Sequence, residues 1–366
     1  MTSHKAKILL IYTGGTIGMV KDFETGALKA FDFTELLNRI PELHLLDCSI
    51  ETISFETPID SSNMNISNWQ KMAQLIEENY LKFDSDVPGL TPEVFAESIL
   101  NVNNEHVGYC EFSNDGTELY YTVTTDKWFP TKLLKVSGDN LKKDTLNLIG
   151  SDFEGEPCFS KDGKIFFFTA VEPPINNWWH SDIFYRNKID EGWSDSYRLN
   201  TQVNSISSEW NISCAKDNVI YFASERVKGT NAWNGDIYKA KFFGDTIQDL
   251  EKLTAVINTD HHESDPLIAP DESFLIFHSN RPGGFGIKDK DVDVVHCDLY
   301  ISFNKDGNWT QPINMGPEIN TSGIEMAPVL TPDGKYFLFT RRESINTSKP
   351  SLIYWVSTKI FKKYKN

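Results

Sequence analysis

The sequence is short of basic residues and of long apolar runs. Its 366 residues carry 35 Lys and Arg against 52 Asp and Glu, a formal net charge of −17. Nucleic acids and anionic lipids attract basic surfaces, so this balance argues against both as partners. No stretch approaches the roughly 18 consecutive apolar residues that a membrane-spanning helix needs. We therefore expect no transmembrane segment.

Cysteine is also scarce, and it occurs in no metal-binding or redox motif. The five cysteines are odd in number and form no Cys-x-x-Cys pair. This pattern indicates reduced, buried thiols. The first eleven residues contain two lysines before a few apolar residues, too few for the apolar region of a signal peptide. We expect a cytoplasmic chain without a cofactor.

Aromatic residues, in contrast, are abundant and unevenly placed. The chain has 24 Phe, 13 Tyr and 9 Trp. Of the tryptophans, only Trp69 lies within the first 125 residues. The length allows two domains or one large repeat array. A composition that changes along the chain suggests two pieces of different origin.

The first piece reads as the start of an α/β domain. The apolar run 7–12 predicts a strand buried on both faces, and the glycine turn 13–18 (TGGTIG) follows it. A second strand is predicted at 49–55, followed by the loop 58–64 (PIDSSNM), and a helical pattern follows each turn or loop. This order is typical of a doubly wound fold, in which the turns after the strands carry the reactive groups.

The glycine turn and the PIDSSNM loop together closely resemble type I (cytoplasmic) L-asparaginases, over residues 7 to about 84. The resemblance implies that Thr16 is a nucleophile and that Ser61 holds the α-carboxylate and amino end of the substrate. Thr13 and Ser62, in the same two motifs, are the other predicted substrate-binding residues.

The chain departs from that family in two places. Ala27 follows Gly26 where many members have a mobile-loop tyrosine, and nothing after Asp84 resembles the family's second catalytic loop or its lysine. A threonine hydroxyl is inert without a base to remove its proton. We therefore expect this fragment to lack activity.

The remainder of the chain is a repeat. Five segments share a turn containing an aspartate, followed by an aromatic-rich strand, and a third strand recurs after most of them. Units of about 50 residues with four short strands are typical of propeller blades. We predict a mainly β protein: a β-propeller of five blades, or of six if the termini build another, preceded by an incomplete α/β segment. The anchor aspartates are Asp115, Asp162, Asp217, Asp271 and Asp333.

Residues 88–358 resemble the TolB-like propeller repeats, a WD-type family, most clearly in the phrases at 156–163, 279–286 and 298–302. The resemblance implies binding of proteins or ligands without shared catalytic residues, and many such relatives are exported. We expect an asparaginase-like segment at 1–84, a junction at 85–90, the propeller at 91–360 and a basic tail at 361–366.

Several polar and aromatic groups are candidates for binding at a mouth of the propeller. The run 261–265 (HHESD) is the densest group of possible metal ligands, but it lacks the spacing of a helical zinc motif, so we expect no metal site. The adjacent tryptophans could form a stacking platform. The candidates are Trp178, Trp179, His262, Glu263, Asp265 and Arg281.

The sequence thus favours a binding protein whose propeller recognises another protein or a small polar or cationic ligand, which the negative field would attract. One alternative is an amidohydrolase in which Thr16 is completed by groups from another chain or from the propeller. Another is a chimeric or misassembled gene, because the asparaginase-like motifs stop in mid-fold near 84–88 without a linker.

Overall fold

A computed structural model of the chain describes residues 6–12, 19–21, 28–30, 48–55, 68, 72, 88–100, 105–125, 129–137, 141–173, 180–226, 234–244, 246–285, 296–344 and 348–365. The chain divides into two compact units, Met1–Val87 and Pro88–Asn366.

The first unit contains two pairs of strands among its described residues. Strands β1 (Ala6–Tyr12) and β4 (Cys48–Ser54) are parallel, and β2 (Met19–Lys21) pairs with β3 (Leu28–Ala30) in an antiparallel hairpin. Parallel neighbours need a long crossover between them. The two predicted strands therefore pair as the α/β order requires.

The described residues of the second unit form five antiparallel sheets, the blades of a propeller. Blade 1 contains β6 (His106–Phe112), β7 (Glu118–Thr124), β8 (Thr131–Ser137) and β9 (Lys142–Thr145). Blade 2 contains β10 (Glu154–Phe159), β11 (Ile165–Val171), β12 (Ser181–Ile189), β13 (Gly192–Trp193) and β14 (Tyr197–Arg198). Blade 3 contains β15 (Glu209–Cys214), β16 (Val219–Ser224), β17 (Asp236–Phe243) and β18 (Thr246–Lys252).

Blade 4 contains β19 (Glu263–Ile268), β20 (Phe274–Ser279), β21 (Asp298–Lys305), β22 (Asn308–Trp309) and β23 (Ile313–Asn314). Blade 5 is built from both ends of this unit, because its strands β24 (Ile324–Leu330), β25 (Tyr336–Arg342) and β26 (Leu352–Ser357) are completed by β5 (Glu93–Val94). Five blades are confirmed. The alternative of a sixth blade is wrong, because the N-terminal strand is used to close the fifth.

Two short helices within the described part of this unit flank these strands. Helix α1 (Glu97–Leu100) precedes blade 1, and a 3-10 helix spans Thr358–Tyr364. In the 3-10 helix Phe361 and Tyr364 are buried, and the Tyr364 hydroxyl donates to the Met315 carbonyl at 2.6 Å. The residues expected to be a basic tail therefore begin inside a packed helix, because apolar side chains alternate with the lysines there.

The anchor aspartates shape the turns between the first two strands of each blade. The Asp162 carboxylate accepts from the Ser160 hydroxyl at 2.7 Å and from the Lys164 N–H at 3.1 Å, and Gly163 has a φ of 69°. Glycine adopts this left-handed conformation without steric cost. The aromatic strands that follow these turns pack against neighbouring blades. For example, the ring centroids of Phe167 in blade 2 and Phe242 in blade 3 lie 5.3 Å apart.

A buried ion pair recurs in blades 3, 4 and 5. In blade 4 the fully buried Glu263 accepts from Arg281 at 3.1 Å, and the guanidinium lies over the Phe277 and Tyr300 rings. The equivalent pairs are Glu209 with Arg226 and Glu325 with Arg341. Because the arrangement is repeated, it belongs to the construction of a blade.

Candidate binding site on the propeller axis

The inner strand of every blade is irregular at the same place. The pairing register shifts there, and the residue six positions before each anchor aspartate has a positive φ of 30° to 54°. Such values are uncommon outside glycine, and a bulge of this kind redirects the side chain. The five residues, one per blade, are Tyr109, Glu156, Asn211, Asp265 and Ala327.

Four of these side chains form a polar ring across the axis, which we call the axial ring: Tyr109, Glu156, Asn211 and Asp265. They line two cavities, one of about 80 Å³ and one of about 180 Å³, so the ring lies between the two. The smaller one, the axial cavity, has room for roughly five to eight waters at about 10–15 Å³ each. Its other walls include Phe153, Trp210, His262, Ser264 and His278.

The two carboxylates of the ring also hold neighbouring blades together. Glu156 of blade 2 accepts from the Asn211 N–H of blade 3 at 2.9 Å, and Asp265 of blade 4 accepts from the Ala327 N–H of blade 5 at 2.7 Å. Burial raises the pKa of Glu156 to about 7, and the charge of Asp265 adds to this shift. Among the described residues, no lysine or arginine lines the axial cavity.

The remaining ring members are close together but incompletely bonded. The Tyr109 hydroxyl lies 3.5 Å from Asp265 Oδ1, and burial together with that charge raises the pKa of Tyr109 well above its ordinary value. The Ser264 hydroxyl lies 2.9 Å from Asn211 Oδ1 and 3.2 Å from Asp265 Oδ1. One hydroxyl proton can serve only one of these acceptors at a time. The Ser264 hydroxyl proton therefore leaves one of these two acceptors without its hydrogen bond.

Two buried side chains at the cavity have polar atoms without a hydrogen bond. These are Asn211 Nδ2 and both ring nitrogens of His278, in residues only 7% and 4% exposed. His278 Nδ1 lies 3.6 Å from Asp265 Oδ2, beyond hydrogen-bond distance. Buried polar groups are nearly always paired, so atoms left open beside a cavity point to a ligand or to water.

The structure separates the predicted blade-4 candidates into two groups. His262 and Asp265 line the axial cavity, and His262 Nδ1 accepts from the Gly235 N–H at 2.8 Å. Glu263 and Arg281 instead form the repeated ion pair inside the blade. The candidates Thr13, Thr16, Ser61, Ser62, Trp178 and Trp179 lie outside the described residues.

Sequence reasoning did not select Tyr109, Glu156, Asn211 or His278 as binding residues. A usable signal was present, because each residue of the axial ring lies six positions before an anchor aspartate. The described part of the chain contains no group of three or more His, Cys, Asp or Glu side chains arranged to hold a metal ion. None of its helices is long and apolar enough to cross a membrane.

Residues 7–87 match the family model described as the N-terminal domain of asparaginase. L-asparaginase 1 of Escherichia coli strain K12 is 32% identical over 107 residues, which are 28% of this chain and 32% of that protein. The L-asparaginase 1 of E. coli O157:H7 gives the same values. The chain thus spans about a third of the length of the curated relatives that it matches.

Two solved structures of TolB proteins are similar over most of the chain. The putative TolB from Agrobacterium tumefaciens has a TM-score of 0.45 at 13% identity, covering 75% of this chain and 86% of that one. TolB from Acinetobacter baumannii has a TM-score of 0.44 at 11% identity, covering 98% and 94%. The N-terminal segment of the chain is thus similar to asparaginases, as its motifs predict.

Proposed function

We propose that the propeller is a binding module for a small cationic molecule, held in the axial cavity. One observation carries the proposal: the carboxylates of Glu156 and Asp265 face this cavity, and no lysine or arginine of the described residues lines it. A carboxylate withdrawn from water is costly unless a positive charge accompanies it. A bound cation would supply that charge.

The walls of the cavity favour an organic ammonium group. Three aromatic residues, Tyr109, Phe153 and Trp210, line it together with the two carboxylates. Aromatic faces attract ammonium groups, most strongly where water is excluded. The combination of rings and carboxylates thus suits a small amine better than a strongly hydrated metal ion.

Isothermal titration calorimetry of the whole chain at pH 8 tests this, with ethylammonium chloride as the probe and sodium acetate as its anionic counterpart. We expect saturable binding of ethylammonium and none of acetate. Asp265→Asn should weaken ethylammonium binding at least tenfold, because it removes one charge. Asparagine tolerates the positive φ of this position and can still accept from the Ala327 N–H.

The matched control is Glu318→Gln, which removes an exposed carboxylate that pairs with Lys363 at the surface. This variant should bind ethylammonium as the original chain does. Absence of saturable ethylammonium binding, or equal binding of acetate, would overturn the proposal.

The N-terminal segment raises a second candidate function, hydrolysis of an amide, and the family match over 7–87 is the observation that favours it. We propose that the segment is inactive, because the matched region carries Thr16 but no second half of a proton relay follows in the sequence. Ammonia release from asparagine, measured for the whole chain and for Thr16→Ala, tests this. Turnover that disappears in the variant would establish the hydrolase instead.

A further inference from the structure

The axial cavity contains polar atoms that a simple cation would leave unused. Asn211 Nδ2 and both ring nitrogens of His278 have no hydrogen bond, although both side chains are more than nine-tenths buried. Asp265 does not satisfy the histidine, since His278 Nδ1 lies 3.6 Å from Asp265 Oδ2, beyond hydrogen-bond distance. A molecule that met only the carboxylates would leave these atoms unpaired.

These atoms lie beside the carboxylate that would hold the cation. The Ser264 hydroxyl touches both the Asn211 amide and the Asp265 carboxylate, at 2.9 Å and 3.2 Å. His278 is the direct cross-strand partner of Ser264. A ligand in which two carbons separate nitrogen from oxygen spans roughly 3–4 Å with standard bond lengths, and so can reach both kinds of group.

The second group of the ligand must suit both open side chains. An amide nitrogen offers donors only, whereas a neutral imidazole offers one donor and one acceptor. A hydroxyl can donate and accept, so it matches both. A carboxylate in that place would be repelled by Glu156 and Asp265, which already lie on the cavity.

We propose that the axial cavity selects small amino alcohols, with the ammonium group on Glu156 and Asp265 and the hydroxyl on Asn211 and His278. This inference rests on the proposed binding of cations and adds the class of ligand. It assigns His278 and Asn211 as the residues that determine specificity, and the carboxylates as those that provide attraction.

The other blades indicate that His278 is not required by the fold. The residues paired with the inner strand at its position are Thr122, Thr169, Ala223 and Thr340. A blade therefore accepts alanine there, and His278→Ala should fold. Glycine adopts the positive φ of Asn211 without strain, which makes Asn211→Gly a second usable variant.

The decisive experiment compares ethanolamine with propylamine by calorimetry on the whole chain at pH 8. The two amines carry the same charge and the same number of non-hydrogen atoms, and they differ by a hydroxyl in place of a methyl. We expect ethanolamine to bind roughly tenfold more tightly or better, because the methyl leaves buried polar atoms unpaired. In His278→Ala the preference for ethanolamine over propylamine should fall to a few-fold, while propylamine binding is retained. Asn211→Gly should reduce this preference in the same way.

The outcomes distinguish this inference from the function on which it rests. Equal affinities for the two amines would overturn the selection of amino alcohols and leave cation binding intact. Binding of neither amine, with no ethylammonium binding, would overturn both. A preference that persists undiminished in both variants would overturn the roles assigned to His278 and Asn211. Free glycine, offered as a ligand, carries a carboxylate in place of the alcohol group of ethanolamine. It should bind more weakly than ethanolamine, and the reverse order would also refute the inference.

Discussion

The two-residue strand β5 should contribute much of the stability of the propeller, because it closes blade 5. It pairs with β26 at Val94↔Tyr354 and Glu93↔Trp355, and the next residue, Phe95, continues the contact. The Phe95 N–H donates to the Ile353 carbonyl at 2.8 Å, and its ring lies 5.2 Å from that of Trp355. Removing residues 1–95 should therefore open the ring of blades, whereas removing 1–87 should leave it closed.

The size of the effect follows from those contacts. Two backbone hydrogen bonds, from Phe95 to Ile353 and from Ser357 to Gly89, stabilise by about 1 kcal/mol each. Two edge-to-face ring pairs, of Phe95 with Trp355 and with Phe112, add about 1 kcal/mol each. Partial burial of the Phe95 ring adds roughly 1 kcal/mol. The total of about 5 kcal/mol is comparable with the whole stability of many domains.

Equilibrium unfolding in urea, followed by tryptophan fluorescence, measures the difference in the free energy of unfolding between chains 88–366 and 96–366. With a slope of about 3 kcal/mol per molar urea for a chain of this size, the midpoint should fall by about 1.7 M. Phe95→Ala in the whole chain should cost about 3 kcal/mol, since it removes the ring contacts and keeps the backbone bonds. Equal midpoints for the two truncated chains would refute the closure of blade 5 by β5.

Three further outcomes test other parts of the propeller. Because the pKa of Glu156 is raised to about 7 in the folded state and is about 4.3 when unfolded, its stabilising contribution is complete below pH 4 and is lost as the pH rises through 7. The urea midpoint should therefore fall as the pH is raised from 5 to 8, and it should fall less in Glu156→Gln. Over the same pH range the affinity for ethylammonium should rise, because the Glu156 carboxylate ionises. A pH-independent affinity would contradict the role of Glu156. Arg281→Ala should lower the free energy of unfolding by about 3 kcal/mol, because its fully buried glutamate partner loses its cation, whereas Lys363→Ala at an exposed pair should change it by less than about 1 kcal/mol. The Cys158 and Cys214 thiols are buried 3.6 Å apart on neighbouring blades, and this contact and burial raise the pKa of Cys158 well above its ordinary value. Neither thiol should therefore react with a thiol reagent until urea unfolds the chain, and rapid labelling of either one in the folded chain would contradict this.

The fold could be predicted as far as it is encoded locally. Each anchor aspartate and the residue after it specify a turn within a few consecutive residues, so the first two strands of every blade were predictable. That next residue is glycine or asparagine in four blades and Glu272 in blade 4. Strand β5 was not, because it has only two residues and its partner Tyr354 lies 260 positions after Val94. The third strand of blade 1, Thr131–Ser137, was also missed, since it lacks the aspartate and aromatic residues of its equivalents.

The site was less predictable because it depends on the positive φ at the bulge of each inner strand, which the residue types there do not predict. Tyr109 and Glu156 are not residues that favour a positive φ, yet both adopt one at the bulge. Pairing with the second strand imposes that geometry, and only then do side chains from separate blades meet on the axis. The sequence does point to the histidine and acidic residues of blade 4 as candidates. It does not show that Asp265 lies on the axis whereas Glu263 lies inside the blade.

The repeat itself provides a way to separate construction from function. A residue that recurs in equivalent positions of several blades, such as Glu263 with its arginine, serves a need that all those blades share. A residue that departs from its equivalents cannot serve that need. His278 stands where other blades have threonine or alanine, and Ser264 stands where they have glycine, tryptophan or methionine. Both departures occur in blade 4, next to Asp265 and the axial cavity. The fold therefore accounts for the shared residues, and the ligand that we propose would account for these two.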